Sequence, residues 1–470
     1  MTTLDTEVLV IGSGAGGATT AAVLTRAGRQ VRVVEEGPAV APGSVEPFSL
    51  EEMVAKYRHR GGSAALGAPP IAYAEGRCVG GSTEINSGLW HRLPAAMAEQ
   101  WRRAHHIDEF TPEVLDRCAD WAEREVTVSC VPDAPPRSSA VLADGAQRLG
   151  WHAVEVPRVV RYEQDGAAKQ TMAATLLPRA VAAGAEILAD CRVDRLVRRG
   201  RVVVAAECRR TDGTGERLTI RADQFVVCGG AIQSPALLQR SGIRRRIGTG
   251  LKVHPTIKVA ARFPFALDHG DVPMHRITEF TPDLALGGSA NRRGQVALAL
   301  ADASPEAATA MADWQGIGVY YAAIRSEGSG RVLALPGLAA PVVTYRLTEA
   351  DMSRLARGLV HLGEALLAAG AVELHPSVIG GRVVHRAGDL VDWWPAVTRA
   401  RANLMTVHLT SSIGMGEDAR AGTDSFGAVR GFDNLRVNDA SLLPDAPGIN
   451  PQATIMAIAV RNAEQALSSW

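Results

Sequence analysis

Apolar residues form short unbroken runs toward both ends of this chain and alternate with polar ones through its middle, which predicts two kinds of sheet. The run Glu7-Val-Leu-Val-Ile11 reads as a strand buried on both faces. It enters Gly12-Ser-Gly14-Ala15-Gly16-Gly17, after which 18–27 reads as a helix stopping at Gly28. A second buried strand, 30–34, ends in Glu35. Helical spacing recurs at 50–59, 107–128 and 171–183, with Pro178 arguing for a break in the last. Residues 185–197 read as strand, 201–208 and 217–220 as a hairpin, and 224–228 as another buried strand before a helix with Pro235 at its first position.

From 252 onward the pattern changes. Short strands are expected at 258–263, 295–300, 316–323 and 342–347, forming an antiparallel sheet in a separate lobe. Thr348 caps a helix through 351–369, and the segment from Trp393-Trp394 to 407 leads back to the first domain. The fold class is therefore α/β with an α+β second lobe. A doubly wound domain is assembled from the discontinuous segments 1–251 and 396–470, with part of 100–185 allowed in the substrate lobe, and 252–395 forms that lobe.

The glycines at the first strand's end have separate duties. Gly12 permits the tight turn, Gly14 beside Ala15 lets backbone approach a pyrophosphate, and Gly17 lets the helix pack close to the strand. Glu35 lies 23 positions after Gly12, where an acid hydrogen-bonds a ribose hydroxyl. A carboxylate there repels a 2′-phosphate, which disfavours NADP and favours FAD or NAD. A second glycine cluster, Gly80-Gly81-Ser82 through Asn86, offers short donors to an anion or a polar ring edge. Cys228-Gly229-Gly230 repeats the strand–glycine–helix unit, as expected where another part of the same cofactor is covered.

Composition narrows the partners. At 470 residues the chain is long enough for two or three domains, and its 50 basic and 50 acidic residues cancel. Without a basic stripe or polybasic segment, neither nucleic acid nor a membrane surface is an expected partner. A strand beginning at residue 7 leaves no room for a signal peptide, and no apolar stretch reaches membrane-spanning length, so a cytoplasmic location is expected. The six cysteines lack CxxC or Cys/His spacing; they are expected to be reduced, with no metal site.

The carboxy-terminal third carries the most pointed chemistry: Val407-His408 through Met415-Gly416, then Val437 through Asp439-Ala440 to Asn450-Pro451-Gln452. Asparagine before proline predicts a helix starting at Pro451 with Asn450 as its N-cap. Such a helix end, carrying about +0.5 charge, would stabilise an electron-rich ring edge. With these motifs, those at Gly12–Gly17, Glu35-Glu36-Gly37, Gly76–Asn86, and Cys228–Pro235 with Ser241-Gly242-Ile243, the chain resembles the glucose–methanol–choline (GMC) flavin oxidoreductases over nearly its whole length.

The resemblance implies FAD and oxidation of an alcohol by hydride transfer to flavin N5. It puts His408 at the position of the catalytic base and Asn450 at the second catalytic position. It assigns cofactor contacts to Gly12, Gly14, Ala15, Gly17, Glu35, Gly80, Gly81, Ser82, Asn86, Val193, Gly230, Asp439, Ala440, Pro451 and Gln452. The chemistry independently wants that pair. A neutral imidazole accepts a hydroxyl proton near neutral pH, and an amide donates to a developing alkoxide.

Glu84-Ile85 stand where some members carry the histidine that links FAD covalently, so noncovalent FAD is expected. Leu409-Thr-Ser-Ser replaces the Pro-x-Gly-Thr common after that histidine, and Glu36 replaces a small residue beside the ribose acid. The expected substrate is a small polar alcohol: a sugar, a polyol or the primary hydroxyl of an aminoglycoside, with Glu279, Glu327 and Asp392 as candidate acids for a cation. O2 or another acceptor would reoxidise the flavin. The alternatives are a steroid or aliphatic alcohol against Trp314, Tyr320, Tyr321, Trp393 and Trp394, or a lyase with structural FAD. His254 before Pro255 is expected to pack near the junction of the lobes, while His91 and His275 are within possible reach of flavin or substrate.

Overall fold

Continuous apolar runs need cover on both sides, and that requirement organises the first sheet. The computed structural model describes residues 2–163, 166–269, 272, 274–302 and 310–470. The strand Thr2–Ile11 pairs in parallel with Val31–Val34 on one side and Arg217–Val227 on the other. Glu186–Leu188 extends the parallel arrangement beyond Val31–Val34. Arg217–Val227 is shared: its carboxy end pairs in parallel with Leu435–Val437, its amino end antiparallel with Val202–Arg210, which returns against Cys191–Arg199. Alternate residues of the first strand serve opposite layers. Val8 and Val10 pack toward the helices Ala15–Arg26 and Gln452–Ser469, whereas Leu9 and Ile11 pack with Trp101, Phe225 and Leu237.

Among the described residues the second sheet has nine strands. Thr256–Arg262, Ile317–Ile324, Leu284–Gly288, His275–Ile277 and Ala153–Glu155 follow one another antiparallel. On the other side of Thr256–Arg262, Leu404–Thr406 leads to Ile71–Tyr73 and Ser63–Ala65. Helix Glu349–Ala368 crosses one face of this sheet, burying Leu355, Leu359, Leu362 and Leu366 completely at helical spacing. Its start is fixed by a capping box of Thr348 and Asp351. The opposite face looks across a cleft at the first sheet's glycine turns.

Several expectations need correction. Residues 295–300 are not a strand but part of the helix Arg293–Leu300: Val296, Ala299 and Leu300 are buried at spacings of three and four. Six Ala, Leu and Val-rich residues satisfy either period, and alanine and leucine favour the helix. The helix expected to begin at Pro235 begins at Gly230, and the carboxy-terminal helix runs Gln452–Ser469 with Pro451 in the cap position and no side-chain cap. The segment 107–128 resolves into helix Pro112–Glu125 after a separate helix Ala95–His105, and 171–183 into the shorter Leu176–Ala182. The second sheet also reaches outside 252–395, borrowing strands at 63–65, 71–73, 153–155 and 404–406.

Candidate active site

A single cleft of about 690 Å³ begins at the first strand's glycine turn and ends between the strands of the second sheet. Its dinucleotide end is built from positions where a side chain would not fit. A Cβ at Gly12, which has φ of +107°, would stand 2.3 Å from the carbonyl oxygen of Cys228. One at Gly17 would stand 1.9 Å from the carbonyl oxygen of Gly12, so helix and strand touch there. Gly14 differs: nothing in the chain comes within 3.9 Å of its missing Cβ, and it lines the cleft. Glycine at 14 keeps space clear for something other than the chain itself, as a pyrophosphate requires.

Glu35 forms the next part of the cradle. Its Oε2 accepts from the amide and hydroxyl of Ser13 at 3.1 and 2.7 Å, and its Oε1 accepts from the amide of Gly37 at 2.9 Å. Burial pushes its carboxyl above the ordinary range while these three bonds oppose the rise. Ribose hydroxyls would add donors to that charge. Beside it, Glu36 is held by Arg58 at 2.8 Å and by Arg77 at 3.4 Å. Burial acts to raise its pKa, but Arg58 prevails and brings it to about 2.

Of the expected cofactor residues, Gly12, Gly14, Ala15, Glu35, Gly81, Ser82, Asn86, Val193, Gly230, Asp439, Ala440, Pro451 and Gln452 line the cleft. Gly17 and Gly80 do not. Gly17 sits behind the turn, and the Gly80 amide donates to Ser13 Oγ at 3.0 Å, tying the second glycine loop to the first. Asp439 is already committed to the chain: it accepts from the Gly230 amide at 2.8 Å, the Ser441 amide at 2.7 Å and the Ser234 hydroxyl. It positions two backbone turns at the cleft. Asn86 reaches across 366 positions to donate to Gln452 Oε1 at 2.7 Å, joining the loop to the last helix. The glycine cradle and the buried acid together fit an FAD-sized dinucleotide.

At the junction of the sheets, His408 lies between two partners. Its Nε2 is 3.1 Å from the Asn450 amide and its Nδ1 is 3.0 Å from His254 Nδ1. Because it makes no cap, the Asn450 side chain is available for this contact. His254 is the residue that sequence reasoning left out of the site. The order of hydrogens follows from one fixed donor: the Gly448 amide donates to His254 Nε2 at 3.0 Å. Neutral His254 then carries its hydrogen on Nδ1 and donates it to His408 Nδ1. Neutral His408 then carries its hydrogen on Nε2, 3.1 Å from Asn450 Nδ2; since that nitrogen can only donate, this order of hydrogens requires the amide to turn over and present its oxygen to the ring.

Arg276 completes this centre. It donates to the Gly448 carbonyl at 3.0 Å, while its Nη1 lies 3.2 Å from His91 Nε2. Burial first, and Arg276 second, pull the His408 pKa down to about 4. The same two causes bring His91 to about 3, and burial with the charge of a neighbouring ring takes His254 well below its ordinary value. All three rings are neutral at pH 7. His275 instead hydrogen-bonds Ser139 at 2.8 Å and is not part of the cleft wall.

The candidate cation-binding acids lie elsewhere. Glu279 accepts from the His152 amide, Glu327 pairs with Arg354 and Asp392 with Arg382, and none lines the cleft. Of the aromatic candidates, Tyr321 lines it; Tyr320 and Trp393 are buried in the core and Trp394 is half-exposed. Among the described residues no group of three His, Cys, Asp or Glu could hold a metal, and no helix is long and apolar enough to cross a membrane.

Comparison with known proteins places the chain in a family. The amino-terminal model of the GMC oxidoreductases matches residues 6–256, and the carboxy-terminal model matches 329–459. An uncharacterized GMC-type oxidoreductase of Sinorhizobium fredii, y4nJ, is 41% identical over 99% of this chain and 95% of its own. A long-chain-alcohol oxidase of Arabidopsis thaliana is 26% identical over 97% of this chain and 66% of its own. Among solved structures, pyridoxine 4-oxidase from Mesorbium loti superposes with a TM-score of 0.76 at 19% identity, covering 98% of this chain and 99% of that one. The chain belongs to the GMC oxidoreductase family, and is a flavin-dependent oxidoreductase acting on CH–OH donors.

Proposed function

We propose that this enzyme holds FAD without a covalent link and oxidises a small polar alcohol, with His408 and Asn450 facing the hydroxyl. The observation that carries this reading is the His408–Asn450 pair on the wall of a cleft continuous with the Gly14 cradle. In this reading 1–251 and 396–470 supply the cofactor half, apart from the strands lent to the second sheet, and 252–395 supply the substrate half. A flavin held there would supply the hydride acceptor. Noncovalent attachment is supported by Glu84 at the linking position, where Lys56 lies 3.3 Å from its carboxylate.

The protein's own part is to orient the alcohol and manage its proton. Asn450 donates to the oxygen as negative charge develops, and His408, kept neutral by burial and the Arg276 charge, is the proposed proton acceptor. Acceptance at Nε2 requires the order of hydrogens to reverse. His408 Nδ1 must then donate to His254 Nδ1, and the Gly448 amide must turn away from His254 Nε2. Gly448 has φ of +70°, where a side chain would be strained, and as glycine it tolerates such rotation.

Glu279, Glu327 and Asp392, the acids expected to hold a cationic aminoglycoside, lie outside the cleft, which favours a sugar, a polyol or another alcohol without that positive charge. The test is anaerobic mixing of the yellow holoenzyme with a panel of alcohols, followed by air. Bleaching by an alcohol and return of colour with O2 support an oxidase, and return only with an added acceptor supports a dehydrogenase. A yellow protein that no alcohol bleaches contradicts the redox reading and leaves a lyase with structural FAD.

A further inference from the structure

The floor of the substrate end contains a row that only the register of four strands brings together. Arg276 is paired with Gly287, Gly287 with Tyr321, and Tyr321 with Lys258. Residues directly opposite in antiparallel pairs project to the same face, and Arg276, Tyr321 and Lys258 all line the cleft. Three strand spacings of about 4.8 Å put the backbones of the two cations roughly 14 Å apart, within bridging distance for two long side chains and a small anion. Gly287 makes room for the ring between them. A Cβ there would stand 2.6 Å from the Tyr321 hydroxyl, so the tyrosine leans over Gly287 toward Arg276 and away from Lys258.

Among the described residues neither cation has a carboxylate counterion: no carboxylate lies within ion-pair distance of Lys258 or Arg276, and the partners of Arg276 are His91 and a backbone carbonyl. Burial alone acts on Lys258, bringing its ammonium down to about 8, as expected for a charge left without a counterion. Asp302 also lines the cleft, but among the described residues it accepts from Asn403 and Ser377 and makes no ion pair with Lys258. Between this row and the histidines, Thr256, Ala323 and Ala285 form a flat adjoining row. Lys258 follows His254 by four positions, about 13 Å along an extended chain.

We propose that the alcohol substrate is itself anionic, carrying a carboxylate or phosphate that sits over Tyr321 between Arg276 and Lys258 while its hydroxyl meets His408. This deepens, and rests on, the alcohol-oxidation reading. The carbon framework spans the flat row, which sets the hydroxyl several bonds from the anion. Lys258 is a specificity residue with no part in the chemical step.

The test pairs alcohols that differ in charge: hydroxyhexanoate against neutral hexanediol for the carboxylate, and glycerol phosphate against glycerol for the phosphate. Anaerobic flavin bleaching by holoenzyme reads preference, and thermal melting with hexanoate or inorganic phosphate reads binding without turnover. The expected result is preference for one anionic member by about 10-fold to 100-fold, lost in Lys258→Met and restored in Lys258→Arg. The corresponding anion should raise the melting temperature of wild type and Lys258→Arg, but not of Lys258→Met. Equal bleaching by charged and neutral members, unchanged in Lys258→Met, overturns the proposal. Lysine-dependent anion binding with no bleaching by any alcohol sustains the anion site and counts against alcohol oxidation instead.

Discussion

Acidification tests the surroundings of His408 directly. Burial and the Arg276 charge bring its pKa from 6.5 down to about 4. At about 1.36 kcal/mol per pKa unit this amounts to roughly 3 kcal/mol against protonating the ring. A proton acceptor must start neutral, so kcat/KM holds as pH falls through 6.5 and declines only near 4. The same shift links to folding. A histidine whose folded pKa is depressed contributes stability fully above its unfolded pKa, and loses it as pH falls from 6.5 toward 4. Arg276→Met removes the second cause but not the first, so the acid limb moves upward without reaching 6.5. Stopped-flow flavin reduction at limiting alcohol gives the limb, and melting temperature against pH gives the linkage. A wild-type limb already at 6.5, unmoved by Arg276→Met, would refute the reasoning.

Other consequences follow from single positions. Gly14→Ala should keep the apoprotein's melting temperature but weaken FAD retention by about tenfold, because its Cβ meets cofactor space rather than chain. Gly17→Ala should instead destabilise the fold by about 1–3 kcal/mol, read by denaturant unfolding, since its Cβ meets the Gly12 carbonyl. Glu35→Ala should lower FAD retention on dialysis; tight FAD in that variant contradicts the ribose assignment. Asp351→Ala removes a buried carboxylate that accepts from the amides of Thr348, Glu327 and Gly328, and should cost about 2–4 kcal/mol in chemical denaturation.

What could be read from sequence was what depends on neighbours in the chain. The strand, its glycines and the following helix were legible because period, turn geometry and close packing all act within about 30 residues. Gln295–Leu300 misled because six Ala, Leu and Val-rich positions fit a strand or a helix until the burial pattern decides. Asn450 looked like a cap because Asn before Pro is locally a cap, yet a histidine 42 positions away claims its amide. His254 was placed only at the lobe junction. Its role comes from meeting His408 across 154 positions, although its alternation with Thr256 and Lys258 was a usable hint. The Arg276–Gly287–Tyr321–Lys258 row has no local signature, since it exists only through strand register.

Rapid mixing of a bleaching alcohol with oxygen-free His408→Ala, compared with the unmodified enzyme, bears hardest on the assignment of that imidazole to the substrate's proton. Flavin reduction slowed by about 100-fold or more, with FAD still retained, is the predicted outcome. Reduction at the unmodified rate would contradict it.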